Sequence, residues 1–159
     1  MKVSKNGFIL FLQHTILDTQ IIPNDDAAES LGYTVGWRAA HVFHVQGPVQ
    51  SSMTHTFQWI GSPFWTAVWG NSASNLRTDN RAFYEIVDAA PAALQHLSAP
   101  AVTDTATDSA RVLIYLGGFL RGALAAHGIT ATVNVTCSAW PTLCYTVQVE
   151  DAPGMPATA

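Results

Sequence analysis

Charge is what this sequence has least of. Only 11% of its residues are Asp, Glu, Lys or Arg, against roughly 25% in ordinary soluble domains. A free monomer relies on a charged surface to stay in solution. A chain this poor in charge is expected to cover much of its surface with partners. Lysine is nearly missing, with Lys2 and Lys5 the two present. The net charge is −4. No basic stripe exists to neutralise phosphates, which excludes nucleic acid as the partner. Direct electrostatic adhesion to an anionic membrane leaflet is disfavoured for the same reason.

Cysteine is scarce as well. Cys137 and Cys144 make no disulfide framework, which fits a reducing cytoplasm. Long apolar runs are lacking: Val112 to Leu120 falls short of the roughly 20 residues of a membrane span, and Arg111 and Arg121 close it off. The start of the chain has the superficial look of a signal peptide, with Lys2 and Lys5 before Gly7 to Leu12. Gln13 and His14 break that run and no small-residue cleavage site follows, so it reads as a first amphipathic helix.

Catalytic signatures are missing too. No Gly-rich phosphate loop and no local serine–histidine–acid pattern occurs. The histidines His14, His41, His44, His55, His96 and His127 are scattered. His41 and His44 have helical spacing but no third ligand nearby, where a structural zinc wants four. The expectation is a chain that is not an enzyme, with no catalytic residue, cofactor or metal.

What is present is a patterned α+β domain, expected over residues 1–150, with a disordered tail at 151–159. Four or so helices are expected to pack on one face of a small twisted antiparallel sheet. Phe8 to about Gln20 reads as a helix apolar around most of its circumference, so it must be buried on more than one side. A second helix runs from about Ala27 to His44, with Leu31, Val35, Ala39 and Val42 at helical spacing. Gly32 and Gly36 lie four apart on it, each costing roughly 1 kcal/mol of helix stability. Close approach of another backbone is the expected compensation. Ser62-Pro63 reads as the start of a tryptophan-rich helix. Asp79-Asn80 reads as a two-residue bend between short strands. A short helical piece follows around Ala92–Leu97. A long helix runs from about Asp108 to His127, ending at Gly128, and its Gly117, Gly118 and Gly122 again suggest tight packing. The last element is a hairpin, Ile129–Thr136 and Leu143–Glu150, bent near Trp140-Pro141. Among the charges, Arg77 needs a partner, with Asp79, Glu85 and Asp88 as candidates.

The motifs in this frame resemble one family. Phe64-Trp65 at a helix start, then Asn75-Leu76-Arg77-Thr78, then Tyr84 to Asp88 resembles the pattern of the small subunits of the transport protein particle (TRAPP), within them the subunit-six type. Gly118, Arg121 and Gly122 in Gly118 to Leu124, and a hairpin centred on Trp140-Pro141, match further. Leu31 to Arg38 matches more weakly. The matches spread from about Leu31 to Val149. The sequence departs from the pattern at Gly61-Ser62-Pro63, where a positive charge is usual. It departs also at Asn71 to Ser74 and at Asp79. Lost charges of this kind bear on partner affinity.

The resemblance implies a scaffold subunit of the TRAPP vesicle-tethering complex. That complex acts as a guanine-nucleotide exchange factor for Rab-type GTPases in ER-to-Golgi and intra-Golgi transport. The implied partners are paralogous small subunits, joined as a heterodimer and then a larger complex, with an indirect link to a Rab-type GTPase. The implied location is cytoplasmic, peripherally at Golgi and ER–Golgi membranes through the complex. The family pairs its subunits through the first two helices. Here that places the interface at Phe8, Phe11, Leu12 and Ile16 on the first helix and Leu31, Val35 and Ala39 on the second.

A second expectation is of another class. The related vinyl-reductase-type sensor domains bind an aromatic ligand in a similar fold, and Trp59, Trp65, Trp69 and His55 would be candidates to line such a pocket. Some of these domains bind zinc through hairpin cysteines. Cys137 and Cys144 lack a third cysteine, so burial as small apolar side chains is expected of them.

Overall fold

The computed structural model describes residues 22–44, 52–94 and 105–152. Helix α1 spans Asp25–His44. Asn24 caps it, its Oδ1 accepting from the Ala27 N–H at 2.8 Å, and Asp25 and Asp26 sit in the first turn, where carboxylates favour the positive helix end. The predicted first helix, with Phe8, Phe11, Leu12 and Ile16, lies outside the described residues.

The tryptophan-rich segment starts earlier than its sequence suggests. Helix α2 spans Met53–Trp59 and is capped by Ser52, whose side chain accepts from the His55 N–H. It continues through a π turn, Ile60–Phe64, into α3, Trp65–Trp69. Ser62-Pro63 lies inside that π turn rather than at a helix start. Proline has no N–H to give to a carbonyl one turn back. The wider turn accommodates this, and the Trp65 N–H reaches Ile60 O. Gly70, at φ 87°, ends the run.

Strands β1, Asn75–Thr78, and β2, Phe83–Asp88, form the first hairpin. Its loop is longer than a two-residue bend, running from Asp79 to Ala82. Asn80 takes φ 58°. The Asp79 carboxylate accepts the N–H groups of Arg81 at 2.8 Å and Phe83 at 3.0 Å, which hold it below the ordinary carboxylate range. A 3-10 turn follows at Ala92–Leu94, the described part of the piece predicted at Ala92–Leu97.

Helix α4 spans Thr105–Ala125. Its end is a Schellman motif. Gly128 takes φ 76°, the Ile129 N–H donates to Leu124 O at 3.1 Å, and the Gly128 N–H donates to Ala125 O at 2.9 Å. Strands β3, Thr130–Ala139, and β4, Thr142–Asp151, make the second hairpin, with a cis peptide between Trp140 and Pro141 at its turn.

The four strands form one antiparallel sheet in the order β1-β2-β4-β3. Three helical units lie against it among the described residues: α1, the α2–α3 run, and α4. That count is slightly lower than the four or so expected, and the α+β class stands. Phe57 stacks on Tyr84 with ring centroids 3.8 Å apart, and Trp65 meets Tyr145 edge-on at 5.2 Å. The α2–α3 run therefore covers β2 and β4. Helix α4 covers β3, where Gly117 approaches Val135. Helix α1 packs on α4. The core is the aromatic layer between helices and sheet, in which Ile60, Phe64, Phe119 and Leu120 are buried.

Candidate partner interface

The position of α1 is set by glycine on both sides of one seam. A Cβ on Gly32 would collide with the Tyr115 carbonyl, and one on Gly36 with the Phe119 carbonyl. Reciprocally, a Cβ on Gly118 would collide with the Glu29 carbonyl, and one on Gly122 with that of Tyr33. All four would fall under 3.0 Å, a separation that real Cβ atoms essentially never show. The helices thus touch backbone to backbone, as small residues permit. Ala28 and Ala40 extend the buried side of α1, each fully enclosed. Arg121 clasps the seam from α4: its Nη2 lies 3.0 Å from Glu29 Oε1, and its guanidinium carbon stands 5.2 Å from the Tyr33 ring centre. Arg111, with Nε 3.9 Å from Asp25 Oδ1, does the same at the other end.

One flank of α1 is apolar, while Asp26, Ser30, Thr34, Arg38 and His41 occupy its exposed side. Leu31, Val35, Ala39 and Phe43 are half-buried along its flank. Trp37, 42% exposed, and Val42, 66% exposed, are the exposed large apolar side chains among the described residues. Trp37 lies against His41, ring centroids 3.9 Å apart, and the Trp37 carbonyl is 3.0 Å from His41 Nδ1. Val42 therefore does not join the buried stripe to which its spacing assigns it. Beside the flank lies a cavity of about 240 Å³, floored by Val35, Ala39, Phe43, Val68, Trp69 and Phe119. Tyr115 also lines it. Burial pushes the Tyr115 hydroxyl well above the ordinary tyrosine range.

The motif residues other than Pro141 split into three groups. Phe64 is buried against Trp59, at 5.1 Å between ring centres, and against Phe119, at 5.9 Å. Trp65 donates Nε1–H to Asp88 Oδ2 at 2.9 Å, a buried bond across 23 residues of chain. Tyr84 places its hydroxyl 3.3 Å from Thr54 Oγ1. Burial, and secondarily the Asp88 charge, pushes the Tyr145 hydroxyl well up. Gly118, Arg121 and Gly122 form the α1–α4 seam. Asn75, Leu76, Arg77 and Thr78 make the edge strand β1. Arg77 pairs with Glu85 at 3.1 Å, which selects one of its three candidate partners; Asp88 belongs to Trp65. Thr78 Oγ1 donates to Phe83 O at 2.9 Å. Pro141 sits exposed in the final turn.

The hairpin cysteines are not both buried. Cys137 is exposed and Cys144 is half-buried; register puts Cys144 across from the exposed Thr136, on the outer sheet face, and Cys137 across from the buried Leu143 at the turn end of the hairpin. Cys144 Sγ donates to Glu85 Oε1 at 2.9 Å. Burial, then that bond and the Glu85 charge, pushes its thiol up to about 11. A thiolate is the nucleophile, so a disulfide reagent at pH 8 is expected to titrate Cys137 rapidly and Cys144 far more slowly. Glu85→Gln should speed the slow phase, whereas a single fast phase for both thiols would refute this assignment.

Of the aromatics proposed for a sensor pocket, Trp69 alone lines the cavity. Trp59 and Trp65 are buried in the core, and His55 is exposed. No group of three or more metal-ligating side chains occurs among the described residues. No helix among them is long and apolar enough to cross a membrane.

With this geometry in hand, the family model for transport protein particle (TRAPP) components matches residues 8–150. The chain belongs to the TRAPP family. It is 26% identical over 122 residues to trafficking protein particle complex subunit 6b of Danio rerio, covering 77% of this chain and 76% of that one. It is 23% identical over 136 residues to an uncharacterised protein of Schizosaccharomyces pombe, covering 82% of this chain and 54% of the relative. Among solved structures it resembles trafficking protein particle complex subunit 3 of Naegleria fowleri, a protein solved covalently bound to palmitic acid. The TM-score is 0.75 at 14% identity, over 96% of this chain and 98% of that one, a likeness of fold. The chain is a TRAPP small subunit, and the architecture above is the TRAPP small-subunit fold.

Proposed function

We propose that this chain is a non-enzymatic scaffold subunit that pairs with a paralogous TRAPP small subunit through the outward face of α1. The observation that carries the reading is the division of α1. Its small-residue side is committed to α4, while Val42 and the Leu31–Val35–Ala39 flank form an apolar strip open to a second protein. An apolar strip of this kind on a charge-poor chain marks an association surface. An interface of roughly 800 Å² per partner is the ordinary size. Through such pairing the chain takes its place in a complex that promotes nucleotide exchange on a Rab-type GTPase at ER–Golgi and Golgi membranes, held there by the assembly.

The cavity of about 240 Å³ beside Val35 fits this reading better than a sensor role. Drug-sized ligands occupy clefts of roughly 300–1,000 Å³, whereas one large side chain from a partner needs less. The sensor alternative keeps a direct test in the melting temperature with and without a panel of aromatic ligands. A large ligand-induced rise favours it.

Co-expression with a TRAPP small subunit, followed by size exclusion with light scattering, tests the scaffold reading. The expected result is a one-to-one heterodimer. Val35→Asp, half-buried and next to the exposed strip, should disrupt it and leave monomer with an unchanged far-UV spectrum. A folded monomer that ignores every small subunit would sink the reading.

A further inference from the structure

The two edges of the sheet are protected very differently. Strand β1 is four residues long and carries Arg77. A short, charged edge resists pairing with other strands. Strand β3 is ten residues long, TATVNVTCSA, with no charge and no proline. Its register shifts fall at its ends, between Thr130 and Ala131 and between Cys137 and Ala139, so Ala131 to Cys137 is a regular, undefended edge.

The backbone groups on that edge follow from the ladder. The Val149 N–H donates to Ala82 O at 2.8 Å, so Val149 faces the β2 side. Backbone direction alternates along a strand, so Gln148, Thr146 and Cys144 turn toward β3. Their register partners are Thr132, Asn134 and Thr136. The intervening Ala131, Val133 and Val135 therefore aim their N–H and C=O groups outward, where no fifth strand stands among the described residues.

Two clefts of about 390 Å³ each open along this strand. One lies between Val133–Val135 and α4, roofed by Leu113, Ile114 and Gly117. The other runs past Thr130–Thr132 toward Glu150. Leu113 and Ile114 are half-buried and apolar, ready to cover side chains that point inward from an added strand. Glu150 is exposed and engages the Thr132 hydroxyl, and no cation pairs it among the described residues. The Arg121 in the same cleft is already occupied by Glu29. The open charge at that end is negative.

We propose that β3 is a docking edge for an extended segment of a partner protein, which adds a strand antiparallel to β3 beneath α4. The chemistry fixes its pattern. Alternate side chains are apolar, to lie under Leu113 and Ile114, and a basic residue near the segment's C-terminal end meets Glu150. Main-chain bonds supply affinity and the alternating pockets supply selectivity, as in other strand-addition sites. Antiparallel pairing is chosen because it is the slightly more stable arrangement per residue. The site is separate from the α1 face and stands or falls independently of it.

The test uses the whole chain and a fluorescein-labelled probe, Thr-Val-Thr-Val-Thr-Val-Lys-amide, whose lysine lies on the face opposite its valines, as Glu150 and Thr132 do on the sheet. Polarisation is expected to show saturable binding, and hydrogen exchange should slow at the Val133 and Val135 amides. Val133→Pro removes an outward donor while leaving the β4 ladder intact, as an edge strand tolerates. It should weaken binding by about tenfold or more. Glu150→Gln should weaken the lysine probe more than its alanine counterpart. Should Val133→Pro not fold, a probe N-methylated at alternate residues serves instead and must not bind. Unprotected Val133 and Val135 amides at saturation, or equal binding by the N-methylated probe, would overturn the proposal. So would a β3-mediated homodimer that the probe cannot displace, since that assigns the edge to a second copy.

Discussion

Gly118→Ala is expected to lower the melting temperature by roughly 5–10 °C, while Gly117→Ala, one residue earlier, leaves it unchanged or raises it. The two substitutions add the same methyl to the same helix. At Gly118 that methyl meets the Glu29 carbonyl under 3.0 Å, backbone against backbone. No side chain can rotate away, so the helices must separate along the seam. Overpacking of this kind costs about 2–3 kcal/mol, and a domain of this size loses roughly 2–4 °C per kcal/mol. At Gly117 the methyl meets Val135 Cγ2 at 3.5 Å and Val133 O at 3.8 Å, which is ordinary contact. There the gain in helix propensity, up to about 1 kcal/mol, is free to appear. Calorimetry on both variants decides the matter, and equal shifts would refute the seam. Adding Gly36→Ala to Gly118→Ala should cost less than the sum by on the order of 1 kcal/mol, because a seam once opened accommodates the second methyl.

That seam also marks where the sequence stops being legible. Periodicity weighs large apolar residues, so it selects Leu31, Val35, Ala39 and Val42 on α1. The side that is fully enclosed carries Ala28, Gly32, Gly36 and Ala40, which contribute almost nothing to an apolar pattern. The glycine spacing does announce a close approach, but α4 as the partner, and the reciprocal Gly118 and Gly122, emerge only in three dimensions. Strands read more easily. Ala131, Val133 and Val135 against Tyr145, Val147 and Val149 alternate with polar residues because one sheet face is buried, and the register pairs them as that alternation requires. Proline misleads at Pro63. It is a start signal in an α-helix, but a π turn takes it inside a continuous run. The exposure of Trp37 and Val42 escapes a reading that sends tryptophan and valine to the core. The edge character of β3 depends on strand order, which no local pattern encodes.

Asp88 is the single charged side chain in the described core, 2% exposed, and its replacement should be among the most damaging in the sheet. Its two oxygens are committed, Oδ2 to the Trp65 indole and Oδ1 to the Ala90 N–H at 3.1 Å. Hydrogen bonds to a charged group are worth about 1.5–3 kcal/mol, and orphaning a buried donor costs about 1–3. Asp88→Ala is therefore expected to cost about 3 kcal/mol, with Trp65 left holding an unpaired N–H in an apolar layer. Asp88→Asn keeps an acceptor and should cost less than half as much. The informative variant removes both partners. Trp65→Phe alone strands a buried carboxylate on one remaining donor. With Asp88→Leu added, the pair becomes apolar on both sides, which can approach neutrality. The double variant should therefore be more stable than the Trp65→Phe single variant. Denaturant midpoints at constant slope on the wild type, Trp65→Phe, Asp88→Leu and the double variant complete the cycle. Additive losses would mean that Trp65 and Asp88 act separately, by volume and by charge. A positive coupling would mean that the bond itself fixes the α2–α3 run onto the end of β2. The alignment of Phe64 and Trp69 with Phe119 on α4 depends on that attachment. Through α4 it also sets where the face of α1 stands.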